Sequence, residues 1–234
     1  MVPAASVYWM LLNSAPPNSM SGILTLVFDD GYSHILEDVV PILDHYGIPG
    51  VFAIPLDESA VQTTEGQPTT PWQEWLPLAE RGHEIAAHGI RHTDLTTLDD
   101  ERLSQELREP IAKLKAATLV YPGGAYNDRV VGAAADLYQA ARTVQSGFEQ
   151  LTPIDPYRLH TTNYSRRNWS LTKANLRAWW AVKTNRWLIE TFHIVSDNRE
   201  GLHTVPLTEF KRHVDFIMRH SITVKTIHAV TTSK

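Results

Sequence analysis

Short strand-like runs alternate with segments of helical spacing along most of this chain, and that alternation is the tightest constraint on its fold. ILTLVF (23–28), GVFAIP (50–55), HEIAAH (83–88), TLVYP (118–122), AARTV (140–144), RLHTTNY (158–164), LIETFHIV (188–195) and ITVKTI (222–227) all read as strands. Between the first two, Ser33 is placed to cap a helix carrying Leu36, Val39, Val40 and Leu43, which ends before Gly47 and which Pro41 should kink or stop early. Asp57 to Thr70 is polar and reads as a loop, and Trp72 to Arg81 as a short helix. Thr97 with Asp100 forms a capping-box pattern ahead of Leu103, Leu107, Ile111 and Leu114. Further helices are predicted over Asp128 to Gln139, after Ser170 with Leu176, Trp179 and Trp180 on it, and over Leu207 to His220. Strands separated by helices favour a parallel sheet closed into a barrel of about seven strands. Residues 23–234 then form one α/β domain, and residues 1–22 read as a poorly structured lead-in. In such barrels chemistry gathers at the C-terminal ends of the strands, where Asp29, Asp30, His88, Pro122 and His193 fall.

Composition removes several function classes. Lys+Arg number 21 against 26 Asp+Glu, a net charge of −5 with no long basic block, which argues against a nucleic-acid partner. The absence of cysteine excludes thiolate nucleophiles, disulfides and cysteine-ligated zinc, and is compatible with either redox compartment. Any metal must be held by histidine and carboxylate. No apolar run approaches the ~20 residues of a membrane helix.

ILTLVFDDGY (23–32) runs a strand fit for burial into two adjacent carboxylates. Neighbouring anions repel, and desolvating either is costly without a cation or a proton. AAHGIRHTDL (86–95) offers the cation's other ligands: His88 and His92 lie four apart at the end of a strand, bracketing Gly89. One histidine among the 11 in this chain is ordinarily a hydrogen-bonded surface residue. Two at this spacing can converge on one ion, with Asp30 closing a two-histidine, one-carboxylate face that leaves positions for water. Asp29 then stands beside the metal, able to take a proton from water.

FDDG (28–31), HGIRH (88–92), YPGG (121–124) and FH (192–193) together resemble the NodB-like polysaccharide deacetylases, carbohydrate esterase family 4, over roughly residues 22–230. The resemblance implies a distorted (β/α) barrel and a zinc-type ion, Zn2+ with Co2+ as the alternative, ligated by Asp30, His88 and His92. It also implies that Asp29 is the general base, that His193 is the acid for the departing amine, and that the Gly123 N–H helps hold the oxyanion. The substrate implied is an acetylated glycan, most naturally a polymer or oligomer of N-acetylglucosamine. An O-acetyl esterase acting on xylan and a sugar-binding pseudoenzyme are the alternatives.

Several positions depart from the family pattern. Val120 stands where an arginine often pairs with the base, and Arg142 on the next strand either supplies that guanidinium or serves the fold. RLHTTNYSRRNW contains no recognisable aspartate to support His193, and Thr191 stands where a leucine commonly lines the acetate pocket. Tyr32 and Tyr126, each just past a motif, are the better candidates for stacking on a sugar, with Trp169 a weaker one. Trp179 and Trp180, at helical spacing with Leu176, read as core.

Overall fold

The computed structural model describes residues 22–198 and 201–232; the predicted lead-in lies, apart from Gly22, outside the described residues. The chain enters on β1 (Ile23–Asp29), winds a π-turn at Ile35–Val39 into α1 (Val40–Tyr46), and returns on β2 (Val51–Ile54). It continues through α2 (Glu58–Glu65) and a 3-10 helix at Trp72–Arg81 to β3 (Glu84–Ala87), then α3 (Asp100–Leu114) and β4 (Thr118–Val120). Next come α4 (Asp128–Ala135), β5 (Ala140–Ser146), the short β6 (Glu149–Gln150), β7 (Leu159–Asn163), α5 (Leu171–Lys183) and β8 (Arg186–Phe192). The chain ends with a small β9 (Ile194–Val195) and β10 (Thr204–Val205) pair, α6 (Leu207–Arg219), β11 (Thr223–Val224) and α7 (Ile227–Thr232).

Seven of these strands, β1 to β5, β7 and β8, pair in parallel, and β8 pairs back onto β1 to close the ring. Side chains alternate across a strand, so the ring sorts its apolar residues into two separate groups. Val27, Val51, Ala53, Ala86, Val120 and Ile189 belong to the cluster in the lumen. Leu26, Phe28, Phe52, Leu119 and Leu188 pack outward among the helices. The same alternation decides what reaches the mouth. Asp29 is in phase with Val27, His88 with Ala86, Arg142 with Ala140, Asn163 with Leu159 and His193 with Ile189. Asp29, His88, Asn163 and His193 continue lumen-facing rows at the C-terminal ends of their strands, and Arg142, the third residue of β5, continues one level with the end of β4.

The bottom of the barrel is sealed by α7, whose Ile227 and Val230 join the lumen cluster. Glu84, buried at the start of β3, accepts from the Thr118 hydroxyl and, at 2.9 Å, from the His228 N–H in the first turn of α7. Burial pushes its carboxyl above the usual range, against hydrogen bonds from Thr118, the His228 backbone and Thr226. A raised acid favours the protonated folded state, so its contribution to stability falls as pH rises above 4.5. Glu84→Gln keeps an acceptor and cannot ionise; in urea unfolding it should gain stability relative to the parent between about pH 5 and about pH 8. Glu84→Leu strands the Thr118 hydroxyl, the His228 N–H and the Thr226 hydroxyl and should lose about 2 kcal/mol or more at either pH.

The structure revises several local expectations. Residues 58–65 are helical rather than loop: buried Val61 anchors a single face, too little apolar repetition to register as a period. Ser33 does not cap; its Oγ accepts from Thr70 Oγ1 at 3.0 Å, and Pro41 falls in the first turn of α1, where its missing N–H costs little. The cap of α3 is Asp99, accepting from Arg102 N at 2.9 Å, while Thr97 sits in a preceding 3-10 turn and bonds Asp94. Ser170 stands at the N-cap of α5 without a side-chain bond, and α4 stops at Ala135. α5 faces the barrel with Ala174, Ala178 and Ala181, so Trp180 lies outside, 43% exposed, against Phe148. Small residues let that helix approach closely; a Cβ on Gly22 would fall 2.4 Å from Ala181 O. The last run, 222–227, gives only the two-residue β11 before turning into α7.

Candidate active site

A cavity of about 330 Å³ opens at the mouth of the barrel, and Asp29, Asp30, His88, His92, Gly123, Arg142 and His193 all line it. β1 ends with Asp29 still in the ladder, while Asp30 takes a left-handed conformation (φ 75°) ahead of Gly31 (φ 68°). Its N–H bonds Ala53 O at 3.1 Å, which fixes the reversal. The turn sets Asp30 Oδ1 3.4 Å from His88 Nε2 and 3.4 Å from His92 Nε2. His88 donates its Nδ1–H to Val120 O at 2.8 Å, which leaves the Nε2 lone pair directed at the cavity.

These three side chains offer donor atoms all within 4.8 Å of one another. Asp30 Oδ1 is buried and has no hydrogen-bond partner among the described residues. Burial alone raises the Asp30 carboxyl, but the His88 side chain and the nearby charges of His193, His88 and His92 outweigh it and hold the group well below the usual carboxylate range. Burial, with His88 alongside, brings the His92 imidazole down to about 4, against the pull of Asp30 and Asp29. The Asp30 carboxylate oxygen faces two imidazole nitrogens, a donor set suited to a divalent cation.

Asp29 meets Arg142, whose Nη2 lies 2.6 Å from Oδ1 and 2.5 Å from Oδ2, with both side chains buried. Val120 and Arg142 are register partners on β4 and β5, so the guanidinium comes from the strand next to the expected position. Removing one partner of a buried pair strands the other charge. Arg142→Met should therefore cost about 3–5 kcal/mol in urea unfolding, and adding Asp29→Asn should return most of it.

His193 Nε2 lies 3.7 Å from Asp29 Oδ2, and its ring stacks on His203 with centroids 4.6 Å apart. Burial lowers its pKa, aided by His203 and Arg142 and opposed by Asp30 and Asp29. Its Nδ1 is buried without a hydrogen bond among the described residues. Gly123 (φ 60°) sits in the turn Pro122–Gly124, with its N–H 3.4 Å from His92 Nε2.

The aromatic expectations need correction. Tyr32 is fully buried: its backbone bridges to Thr69 and its ring stacks on His34, so it cannot meet a glycan. Tyr126 is half-buried, stacks on Tyr121, accepts from Gln145 Nε2 at 2.6 Å, and does not line the cavity. Trp169 packs against Tyr164 and donates to Glu209 at 2.5 Å, in a separate groove. Thr191 points into the lumen with its hydroxyl 2.8 Å from Thr161 Oγ1. Asn163, His203 and Val144 line the cavity without having been singled out in the sequence. The phase of β7 exposes Asn163 to such a reading; His203 arrives from a loop and carries no periodic signal.

Residues 18–141 match the family model described as Polysaccharide deacetylase, more than half of the chain. The chain belongs to the polysaccharide deacetylase family. It is 25% identical to YxkH of Bacillus subtilis (strain 168) over 146 residues, 59% of this chain and 50% of that protein. It spans half or less of the length of the curated relatives it matches. Its fold resembles that of the Bc1960 peptidoglycan N-acetylglucosamine deacetylase, with a TM-score of 0.62, 12% identity, and coverage of 94% of this chain and 92% of the other. It also resembles a family 4 acetyl xylan esterase from Clostridium thermocellum in complex with a cobalt ion, with a TM-score of 0.55, 16% identity and 90% of each chain covered. At these identities the likeness is one of fold.

Proposed function

We propose that this chain removes acetyl groups from N-acetylglucosamine-containing glycans by metal-dependent hydrolysis. The observation that carries this reading is the convergence of Asp30, His88 and His92 beside an aspartate already paired with arginine. Asp30, His88 and His92 would hold the ion, most naturally zinc, with cobalt as the alternative. When bound, such an ion supplies Lewis acidity, polarising the acetyl carbonyl and making a water more acidic.

The remaining work belongs to the chain's own groups. Arg142 keeps Asp29 oriented, and Asp29 takes the proton from the attacking water. The Gly123 N–H meets charge developing on the carbonyl oxygen. His193 gives a proton to the departing nitrogen, so that water and amide yield acetate and free amine. An amine leaves poorly unless protonated, whereas a sugar hydroxyl leaves more readily. A histidine at that position therefore favours amide over ester, although both chemistries occur among proteins of this fold.

The test is acetate release from chitin oligomers and from acetylated xylan, with and without added zinc. Turnover of the chitin oligomer that needs the metal is expected, with kcat/KM rising for longer oligomers as remote sugars contribute. Release from xylan esters alone would establish the esterase reading, and binding without turnover the pseudoenzyme. His193→Ala should reduce amide turnover by ~10²-fold or more and leave an activated acetate ester much less affected. Equal losses on both would remove His193 as the acid.

A further inference from the structure

The loop from His88 to His92 is held from two sides. From β2's end, Leu56 N–H donates to Gly89 O at 3.2 Å and Asp57 N–H to Ile90 O at 2.7 Å. From α3, the buried Glu106 accepts with one oxygen, Oε2, from Ile90 N–H at 2.5 Å and Arg91 N–H at 3.4 Å. The backbone between these anchors is left-handed at Gly89 (φ 73°) and again at His92 (φ 53°). That conformation is unfavourable for a histidine and persists only where the surroundings impose it. A Cβ at Gly89 would lie 3.0 Å from Glu106 Oε2 and 3.2 Å from Pro122 Cγ, a measure of how closely loop and carboxyl approach. Beyond Glu106 the packing is open: a cavity of about 550 Å³ is lined by Ala60, Arg91, His92, Leu98, Arg102 and Glu106. Hydrogen bonds to Glu106, rather than apolar packing, restrain the loop on that flank.

We propose that Glu106 is a positioning residue for the metal centre: it clamps the Ile90 and Arg91 amides and so sets the two histidines against Asp30. The proposal rests on the metal-binding reading above. It assigns the interaction to the reach of the Glu106 side chain rather than to its charge. Glutamine has the same length and an amide oxygen that can still accept. Aspartate keeps the charge and falls short.

Two measurements on the full chain test this. The first is zinc affinity, by competition with a chromophoric chelator, for the parent, Glu106→Gln, Glu106→Asp and Glu106→Leu. Affinity should fall roughly 10–100-fold in the Asp and Leu variants and stay close to the parent in the Gln variant. The second is hydrogen exchange at the Ile90 and Arg91 amides in metal-free protein, which should quicken about tenfold in the Asp variant and not in the Gln variant. Parent-like affinity in Glu106→Asp, or a greater loss in Glu106→Gln than in Glu106→Asp, would overturn the proposal, even if Glu106→Leu does not fold. A parent that binds no zinc would defeat the metal reading instead. The exchange arm would then still decide the clamp, unchanged exchange in Glu106→Asp refuting it.

Discussion

Asp29→Asn should bind zinc as tightly as the parent and release acetate ~10³-fold more slowly. The substitution preserves shape and leaves Asp30, His88 and His92 untouched. The amide oxygen can still accept from Arg142 Nη2, which approaches both carboxyl oxygens in the parent. It cannot take up a proton at working pH, so deprotonation of the attacking water loses its acceptor. Metal content measured alongside initial rates separates the two effects. A variant that retains zinc and works within tenfold of the parent would show that the base lies elsewhere.

His88→Ala should abolish detectable deacetylation and weaken zinc binding by ~100-fold or more, the larger of the two losses. It removes one of the three proposed ligands and leaves Val120 O, the acceptor that fixes the imidazole, without its donor. Lewis-acid stabilisation worth several kcal/mol disappears with the ion, a factor of roughly 10³ or more before any effect on positioning. Chelation of the parent should give the same inactive state, and zinc or cobalt should restore the parent but not the variant. Full turnover in strong chelator would sink the metal assignment and with it the proposed mechanism.

The parts of this molecule that repeat were the parts legible in the sequence. Strands that alternate with helices give a closed parallel ring, and the residues flanking its C-terminal ends are a short list that includes Asp29, Asp30, His88 and His193. What resisted reading depends on contacts between distant segments. Among the described side chains of α2 only Val61 is buried, and α7 is tied in part by a carboxyl 144 residues away. Tyr32 follows a motif closely but is drawn under the turn by its bridge to Thr69, so proximity in sequence misled. His203 reaches the cavity from a connection with no period, and its stacking on His193 is set wholly by tertiary packing. Arg142 was legible as a candidate because it lies one strand over; the sequence does not contain the register that decides between the two roles considered for it.

That register has a wider consequence. Adjacent strands lie about 4.8 Å apart, less than the span of an arginine side chain, and Val120 and Arg142 are direct cross-strand neighbours. A guanidinium can therefore be transposed from one strand of the ring to the next while its head group reaches the same carboxylate. Linear motifs record which strand carries a charge; the ring constrains only where the charge arrives. Chains of this fold that lack an arginine at the position of Val120 should be searched at its lateral neighbour before they are judged incomplete.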